Sequence, residues 1–203
     1  MRLKLYVGLA LAFLFVGAAY SAHAQTVPAA IGPKLFSPLA IGVGFSGYNP
    51  DFGHGHLLGG TLWIDYIPTN YVPHLLRGLG IEAEARDLNY GRSATQPVNL
   101  RIDSAAGGLI YSWPRYRRYR PYAKLSMGFG NADYEYNSTK NYDHASRTVT
   151  SFGGGLDYRA IKSVWVRCDY EYQTWPTFFI HPTPPPVGRL NPQGFTLGAM
   201  YHF

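Results

Sequence analysis

The last ten residues of the chain, GFTLGAMYHF, alternate strictly between two kinds of side chain. Apolar residues recur at every second position from Phe195 to Phe203, and the positions between them are Thr196, Gly198, Met200 and His202. This period of two predicts a β-strand with one apolar face that continues to the end of the chain. A closed barrel in lipid requires such a strand, because its last strand pairs with its first and faces hydrocarbon. A terminal strand of a soluble sandwich or lipocalin remains the alternative.

The same alternation recurs along the chain and predicts eight strands of roughly the ~9–11 residues that cross a bilayer at a tilt. The predicted strands cover residues 39–46, 58–66, 79–86, 98–111, 123–129, 151–158, 164–173 and 195–203. In the fourth strand the apolar parity becomes ambiguous near Gly107 and Gly108, which predicts a bulge there. Connections after odd-numbered strands are mostly longer than those after even-numbered ones, as in an up-and-down barrel whose long loops share one end. We therefore predict an all-β, eight-stranded antiparallel up-and-down transmembrane β-barrel.

Charged residues within the predicted strands all fall on the parity opposite to the apolar one, which we assign to the barrel interior. They are Asp65, Glu82, Glu84, Arg86, Arg101, Asp103, Lys124, Asp157, Arg167, Asp169 and Glu171. A soluble barrel would have the reverse arrangement. All of them except Asp65 and Asp157 are assigned to a barrel-interior charge network. An eight-stranded barrel is just wide enough to be filled by side chains, so we expect a plugged lumen. A gate that re-pairs to admit ions is the alternative.

The N-terminal region is typical of a secretory signal peptide. Arg2 and Lys4 precede an apolar run, and Ala22-His23-Ala24 forms an A-x-A cleavage site. We predict a signal peptide over residues 1–24, a proline-containing lead-in over 25–37 and a barrel over 38–203. Cys168 is the only cysteine, which excludes an intramolecular disulfide. Cleavage would leave a net charge of +4, too mild to suggest a nucleic-acid partner.

The ending of the chain, with a terminal Phe203 and apolar residues at alternate positions before it, resembles the C-terminal signature of bacterial outer-membrane β-barrels. The strand number adds a resemblance to the OmpA-type and OmpX-like eight-stranded barrel domains. The resemblance implies residence in the outer membrane of a Gram-negative-type bacterium, with its lipid as a partner. It also implies recognition by the barrel-assembly machinery through an assembly signature. That signature consists of Phe195, Leu197, Tyr201 and Phe203.

A basic segment, PRYRRYRP, lies in the predicted connection between the fourth and fifth strands. Its arginines are Arg115, Arg117, Arg118 and Arg120. In the predicted topology this turn lies at the periplasmic rim, where guanidinium groups would attract anionic phospholipid headgroups or peptidoglycan. A solvated turn without a partner is the alternative.

Two short motifs were weighed as chemical sites. His144 and Ser146 share a parity, as the base and nucleophile of a lipid A deacylase would, but we expect no acidic residue on the same face of a neighbouring strand. His54 and His56 are too few ligands for a metal site. No catalytic, metal or cofactor site is therefore predicted.

We expect a non-enzymatic barrel with a structural or surface-interaction role, its extracellular loops serving as the contact surface. The alternatives are a small porin-like channel, a lipid A-modifying enzyme and a soluble lipocalin-like binder.

Overall fold

The computed structural model describes residues 38–51, 56–68, 76–90, 99–113, 118–135, 142–176 and 189–203. Side chains are not described at 99–100, 134–135 and 142–145. The predicted signal peptide and lead-in lie outside these ranges, as do Arg115, Arg117 and His54. No helix among the described residues is long and apolar enough to cross a membrane.

Eight strands form one closed barrel in which each strand pairs antiparallel with the next and the last pairs with the first. The strands are β1 Leu39–Asn49, β2 Leu57–Tyr66, β3 Leu79–Tyr90, β4 Asn99–Ser112, β5 Tyr119–Glu135, β6 Tyr142–Arg159, β7 Val164–Thr174 and β8 Gln193–His202. The predicted fold class is therefore confirmed. Closure depends on the C-terminal strand, whose pairing with β1 runs from Ala40 opposite His202 to Asn49 opposite Gln193. This pairing removes both open edges, whose unpaired backbone groups would be costly in lipid.

The two ends of the barrel differ in their connections. The connections β2–β3, β4–β5 and β6–β7 lie at the end where the chain terminates, which we call the terminus end. The connections β1–β2, β3–β4, β5–β6 and β7–β8 lie at the opposite end, which we call the loop end. In outer-membrane barrels the termini lie in the periplasm and the long loops are extracellular.

Strands β5 and β6 are longer than the sequence pattern predicts, with 17 and 18 residues. Residues 131–135 and 142–146, expected to belong to a polar loop, instead pair with each other as strand. The predicted bulge in β4 is also wrong, because the pairing of β4 with β3 is unbroken from Tyr111 to Arg101. Gly108 has a packing reason instead, since a Cβ there would collide with the Leu125 carbonyl and with Ser126 on β5.

The outward side chains form an apolar surface around the barrel. Phe129, Phe195 and Val43 are each more than 60% exposed, and β2, β3, β6 and β8 contribute similar residues. Because each strand alternates, the side chains between them point into the lumen. A surface this apolar requires a hydrocarbon environment rather than water.

Candidate functional site in the barrel lumen

The middle of the lumen holds a layer of buried charged side chains, which we call the charge layer. Its members are Asp65, Glu82, Glu84, Arg86, Lys124, Asp157, Arg167, Asp169 and Glu171. Their side chains are at most 10% exposed. They come from β2, β3, β5, β6 and β7, so the ion pairs cross the lumen and connect strands that are not neighbours in the sheet.

Lys124 lies at the centre of four carboxylates. Its Nζ is 2.6 Å from Asp169 Oδ2, 2.9 Å from Glu84 Oε2, 3.0 Å from Glu171 Oε2 and 3.1 Å from Glu82 Oε1. The oxygens of Glu84, Asp169 and Glu171 lie within 4.8 Å of one another, close enough to hold a metal ion. The Lys124 ammonium contacts all three residues and already supplies the positive charge that their carboxylates require.

Arg86 joins the charge layer to the loop-end side of the lumen. It lies 2.5 Å from Glu84 Oε1, and its two terminal nitrogens donate to the two Glu171 oxygens at 3.0 and 3.3 Å. Its Nε donates to Thr61 Oγ1 at 3.1 Å, and its guanidinium lies over the Tyr48 ring, 4.5 Å from the centroid. Such two-nitrogen contacts fix the geometry of the pair as well as its charge.

Arg167 has the corresponding role on the terminus-end side. It donates to Asp157 Oδ1 at 2.9 Å, to Glu82 Oε2 at 2.8 Å and to Asp65 Oδ2 at 2.6 Å. The guanidinium also lies 4.5 Å from the Tyr122 ring centroid. Because Glu82 contacts both Arg167 and Lys124, the two halves of the charge layer are continuous.

Two central carboxylates, Asp65 and Asp157, belong to the network although the sequence does not predict them as members, and Arg120, predicted to belong to the basic turn, joins them. Arg120 instead lies in β5 with its side chain toward the lumen, 17% exposed. It donates to Asp157 Oδ2 at 3.1 Å and lies 3.1 Å from His202 Nε2. Arg120 has the same parity as the inward Lys124 on β5, and this parity could have predicted that Arg120 points into the lumen. Arg118 is exposed at the terminus end.

Arg101 and Asp103, which the sequence analysis assigned to the interior, point outward instead. They form a separate cluster with Asp87 near the loop end. Arg101 Nη2 donates to Asp87 Oδ2 at 2.8 Å and Arg101 Nε donates to Asp103 Oδ1 at 3.1 Å, with Arg101 half exposed. The even-numbered residues of β4, including Ile102 and Ile110, point inward and are buried. Outward charges of this kind are expected where strands extend beyond the hydrocarbon, because the wall there faces water or headgroups.

Apolar side chains fill the lumen beside the charge layer. On the loop-end side they are Tyr48, Leu57, Leu88, Ile102, Ala132, Val149, Trp175 and Leu190. Two smaller clusters contain Ala40, Trp63, Trp165 and Met200, and Ile67, Ile110 and Tyr122. These two clusters are interleaved with the charges, because Trp63 pairs with Glu84 and Ile110 pairs with Lys124. A buried apolar cluster therefore bounds the charge layer on the loop-end side, and mixed apolar and charged side chains fill the other side. A chain of hydrogen bonds from Trp175 Nε1 through Gln173 to Glu171 links the loop-end cluster to the charge layer.

Ser146 of the possible deacylase motif lies on the outer face near the loop end, and His144 precedes it by two residues on the same strand. Contrary to the expectation from sequence, an acidic residue is opposite this motif, because Asp133 on β5 pairs with His144 on β6. Ser146 Oγ donates to Asn131 Oδ1 at 3.4 Å, and Asn131 Nδ2 donates to Asp133 Oδ1 at 3.1 Å. A hydrogen-bond path thus connects the serine to the acid through an amide.

The four residues of the predicted assembly signature all point outward on β8 or directly after it. Phe195, Leu197, Tyr201 and Phe203 are 63%, 62%, 49% and 60% exposed. They form aromatic contacts along the wall, with Tyr170 against Phe195 and Tyr201 against Phe203.

Comparison with solved structures gives the same architecture. Neisserial surface protein A superposes with a TM-score of 0.63 at 11% identity, covering 84% of this chain and 100% of that one. Ail of Yersinia pestis gives 0.56 at 18% identity, with 83% and 100% covered. OprG of Pseudomonas aeruginosa gives 0.51 at 12% identity, with 83% and 97% covered. At these identities the likeness establishes the fold alone.

No functionally curated protein matches the chain. The family model for the outer membrane protein beta-barrel domain matches residues 8–203, which is nearly the whole sequence. The chain belongs to the outer membrane protein beta-barrel family, and its place is the outer membrane of Gram-negative bacteria.

Proposed function

We propose that the protein is a non-enzymatic outer-membrane barrel with a structural or surface-interaction role, and that its lumen is closed to solutes. The observation that carries this proposal is the filled lumen, in which buried ion pairs are packed against buried apolar clusters. Function then resides on the two rims and the outer wall rather than in a channel.

The energetics of the charge layer support closure. An ion crossing the lumen would have to separate Lys124 or Arg86 from its carboxylates, and removing one partner of a buried pair costs about 3–5 kcal/mol. It would also have to pass the loop-end apolar cluster, whose fully buried Trp175 and Leu57 leave it little polar surface to replace water.

The rims supply the proposed contact surfaces. The four connections at the loop end would face the cell exterior and act as the surface that meets other molecules. At the terminus end the exposed Arg118, with Arg115 and Arg117 of the same segment, would meet anionic phospholipid headgroups or peptidoglycan. The outward apolar residues of β8 would serve as the signal for the barrel-assembly machinery after export by the signal peptide.

Conductance measurement tests lumen closure. The purified mature protein is inserted into a planar bilayer at high salt, with a wide porin as the positive control. We expect no current steps above the bare bilayer. Stable unitary steps from the wild-type protein would support the porin-like alternative and refute closure.

One observation favours an enzymatic second candidate, namely Asp133 lying opposite His144 on the face that carries Ser146. The test is the mass of lipid A extracted from cells that express the protein. A loss of one acyl chain that Ser146→Ala abolishes would establish a deacylase and refute the non-enzymatic role. We expect the mass to remain unchanged.

A further inference from the structure

A groove of about 510 Å³ lies on the outer wall of the barrel, away from the lumen. Its floor consists of two cross-strand pairs, Ala83 opposite Gly107 and Ala85 opposite Ala105, on β3 and β4. All four positions point outward and are exposed. Two strands with so little side-chain volume leave a depression in an otherwise bulky apolar surface.

Larger apolar side chains frame this floor on three sides. Leu62 and Ile64 on β2 form one wall, and Met127 and Phe129 on β5 form the other. The pair of Ile81 and Leu109, both more than half exposed, closes the terminus-end side. A hydrocarbon chain lying along the strands would therefore contact side chains on both flanks rather than a flat wall.

The fourth side, toward the loop end, is charged. Asp87 and Asp103 are the next outward pair on the same two strands, and they hold Arg101 between them through the hydrogen bonds given above. An apolar groove thus ends at a guanidinium with two carboxylates, at the level where the wall ceases to be apolar. Along the wall, an apolar groove is followed by a charged cluster, as an acyl chain is followed by a charged headgroup in a lipid.

We propose that the groove binds one acyl chain of a phosphorylated glycolipid of the outer leaflet, with Arg101 contacting its phosphate. Guanidinium is suited to phosphate recognition. Asp87 and Asp103 would share with the phosphate the divalent cation that such lipids carry, since Mg²⁺ and Ca²⁺ prefer carboxylate and phosphate oxygens. The site is independent of whether the lumen is closed.

Charge argues against a second copy of the chain as the occupant. Asp87 and Asp103 lie above the floor and Asp133 lies on the outward face of β5, so two facing copies would bring their acidic residues together. A phosphate with its own divalent cation complements this charge, whereas another copy repels it.

The test is native mass spectrometry of the full-length mature protein extracted from outer membranes in mild detergent. Ala85→Leu combined with Ala105→Leu fills the groove, and Ala199→Leu adds the same bulk to the outward face of β8 as the matched control. We expect the wild type and the control to retain the phosphorylated glycolipid, and the groove variant to retain about tenfold less. Arg101→Gln and chelation by EDTA should each reduce retention without filling the groove.

Three outcomes would overturn the proposal. Equal retention by the groove variant and the control would show that binding is not specific to this wall. Retention of phospholipid instead of the glycolipid would assign a different ligand. A dimer that the groove variant abolishes would assign the groove to a second copy. The heat-dependent shift in gel mobility verifies that each variant is folded, and Arg101→Gln leaves the apolar wall unchanged.

Discussion

The middle of the barrel and its loop end are built from the same strands with opposite chemistry. In the middle, charged side chains such as Lys124 point into the lumen and apolar ones such as Leu125 point outward. At the loop end of β3 and β4 the arrangement is reversed. Leu88 and Ile102 are buried in the lumen, whereas Asp87 and Arg101 are on the outer face. The reversal occurs within β3 itself, where the inward Arg86 is followed by the outward Asp87.

The difference teaches that the external solvent, rather than the lumen, determines which parity is charged. Where hydrocarbon surrounds the wall, an outward charge is expensive and polar groups are confined to the interior. Where water or headgroups surround it, the ordinary rule of a soluble barrel returns, with apolar side chains inside. The step from Ala85 to Asp87 on β3, and from Ala105 to Asp103 on β4, therefore marks the edge of the hydrocarbon.

The largest expected difference in stability comes from removing one cationic side chain from the charge layer and one from the outer face near the loop end. Lys124→Met leaves four buried carboxylates without their ammonium and should lower the free energy of unfolding by about 3–5 kcal/mol. Arg101→Met removes the two partly exposed ion pairs with Asp87 and Asp103 and should cost at most ~1 kcal/mol. Reversible urea unfolding in lipid vesicles measures both. Equal losses would show that the two clusters do not differ in environment.

The converse change adds a charge to the outer wall in each region. Ala199→Arg places a guanidinium in the apolar band and should cost about 2–4 kcal/mol, whereas Ser146→Arg near the loop end should cost about 0–1 kcal/mol. The same unfolding measurement applies, with the gel-mobility shift verifying that each variant folds. If Ser146→Arg were the more costly variant, the assigned position of the hydrocarbon edge would be wrong.

The smallest expected difference comes from removing one methylene group from a side chain in the lumen and from a side chain on the outer wall. Ile102→Val creates a small cavity in the loop-end cluster and should cost roughly 0.5–1.5 kcal/mol. Ile81→Val on the lipid-facing wall should change stability by less than about 0.5 kcal/mol, because lipid fills the vacated space. A larger loss for Ile81→Val would indicate that this position is packed against something other than fluid lipid.

The sequence predicted the barrel because period two survives in every strand and the C-terminal segment alternates to its end. The alternation predicts the number of strands, and the connection lengths predict their up-and-down order. The alternation also places Lys124 and Arg167 on one common face, whose inward orientation needs a further argument. The alternation divides the residues of each strand between two faces, but it does not tell which face points into the lumen. The signal peptide and the terminal Phe203 indicate a lipid-facing barrel and thereby place the charged face inside. Applying this to every charged residue of the strands holds only where hydrocarbon surrounds the wall.

That single assumption explains the errors in β4. With Arg101 and Asp103 assigned to the interior, the apolar Leu109 and Tyr111 fall on the same parity as these charges, and the predicted bulge is what would reconcile them. The structure has an unbroken register in which Ile102 and Ile110 both point inward. The position of Arg120 in the lumen has a different cause. The arginine-rich segment predicts a turn, but β5 already begins at Tyr119 within that segment.

The most direct test of the account is a depth profile along the outward face of β4. In a Cys168→Ser background, a spin label is placed singly at positions 109, 107, 105, 103 and 101 of the protein in lipid vesicles. Its collision rates with oxygen and with a water-soluble nickel complex are then measured. The account predicts that oxygen dominates from 109 to 105, with a change to nickel accessibility between 105 and 103. A profile dominated by oxygen through 101, or by nickel throughout, would contradict it.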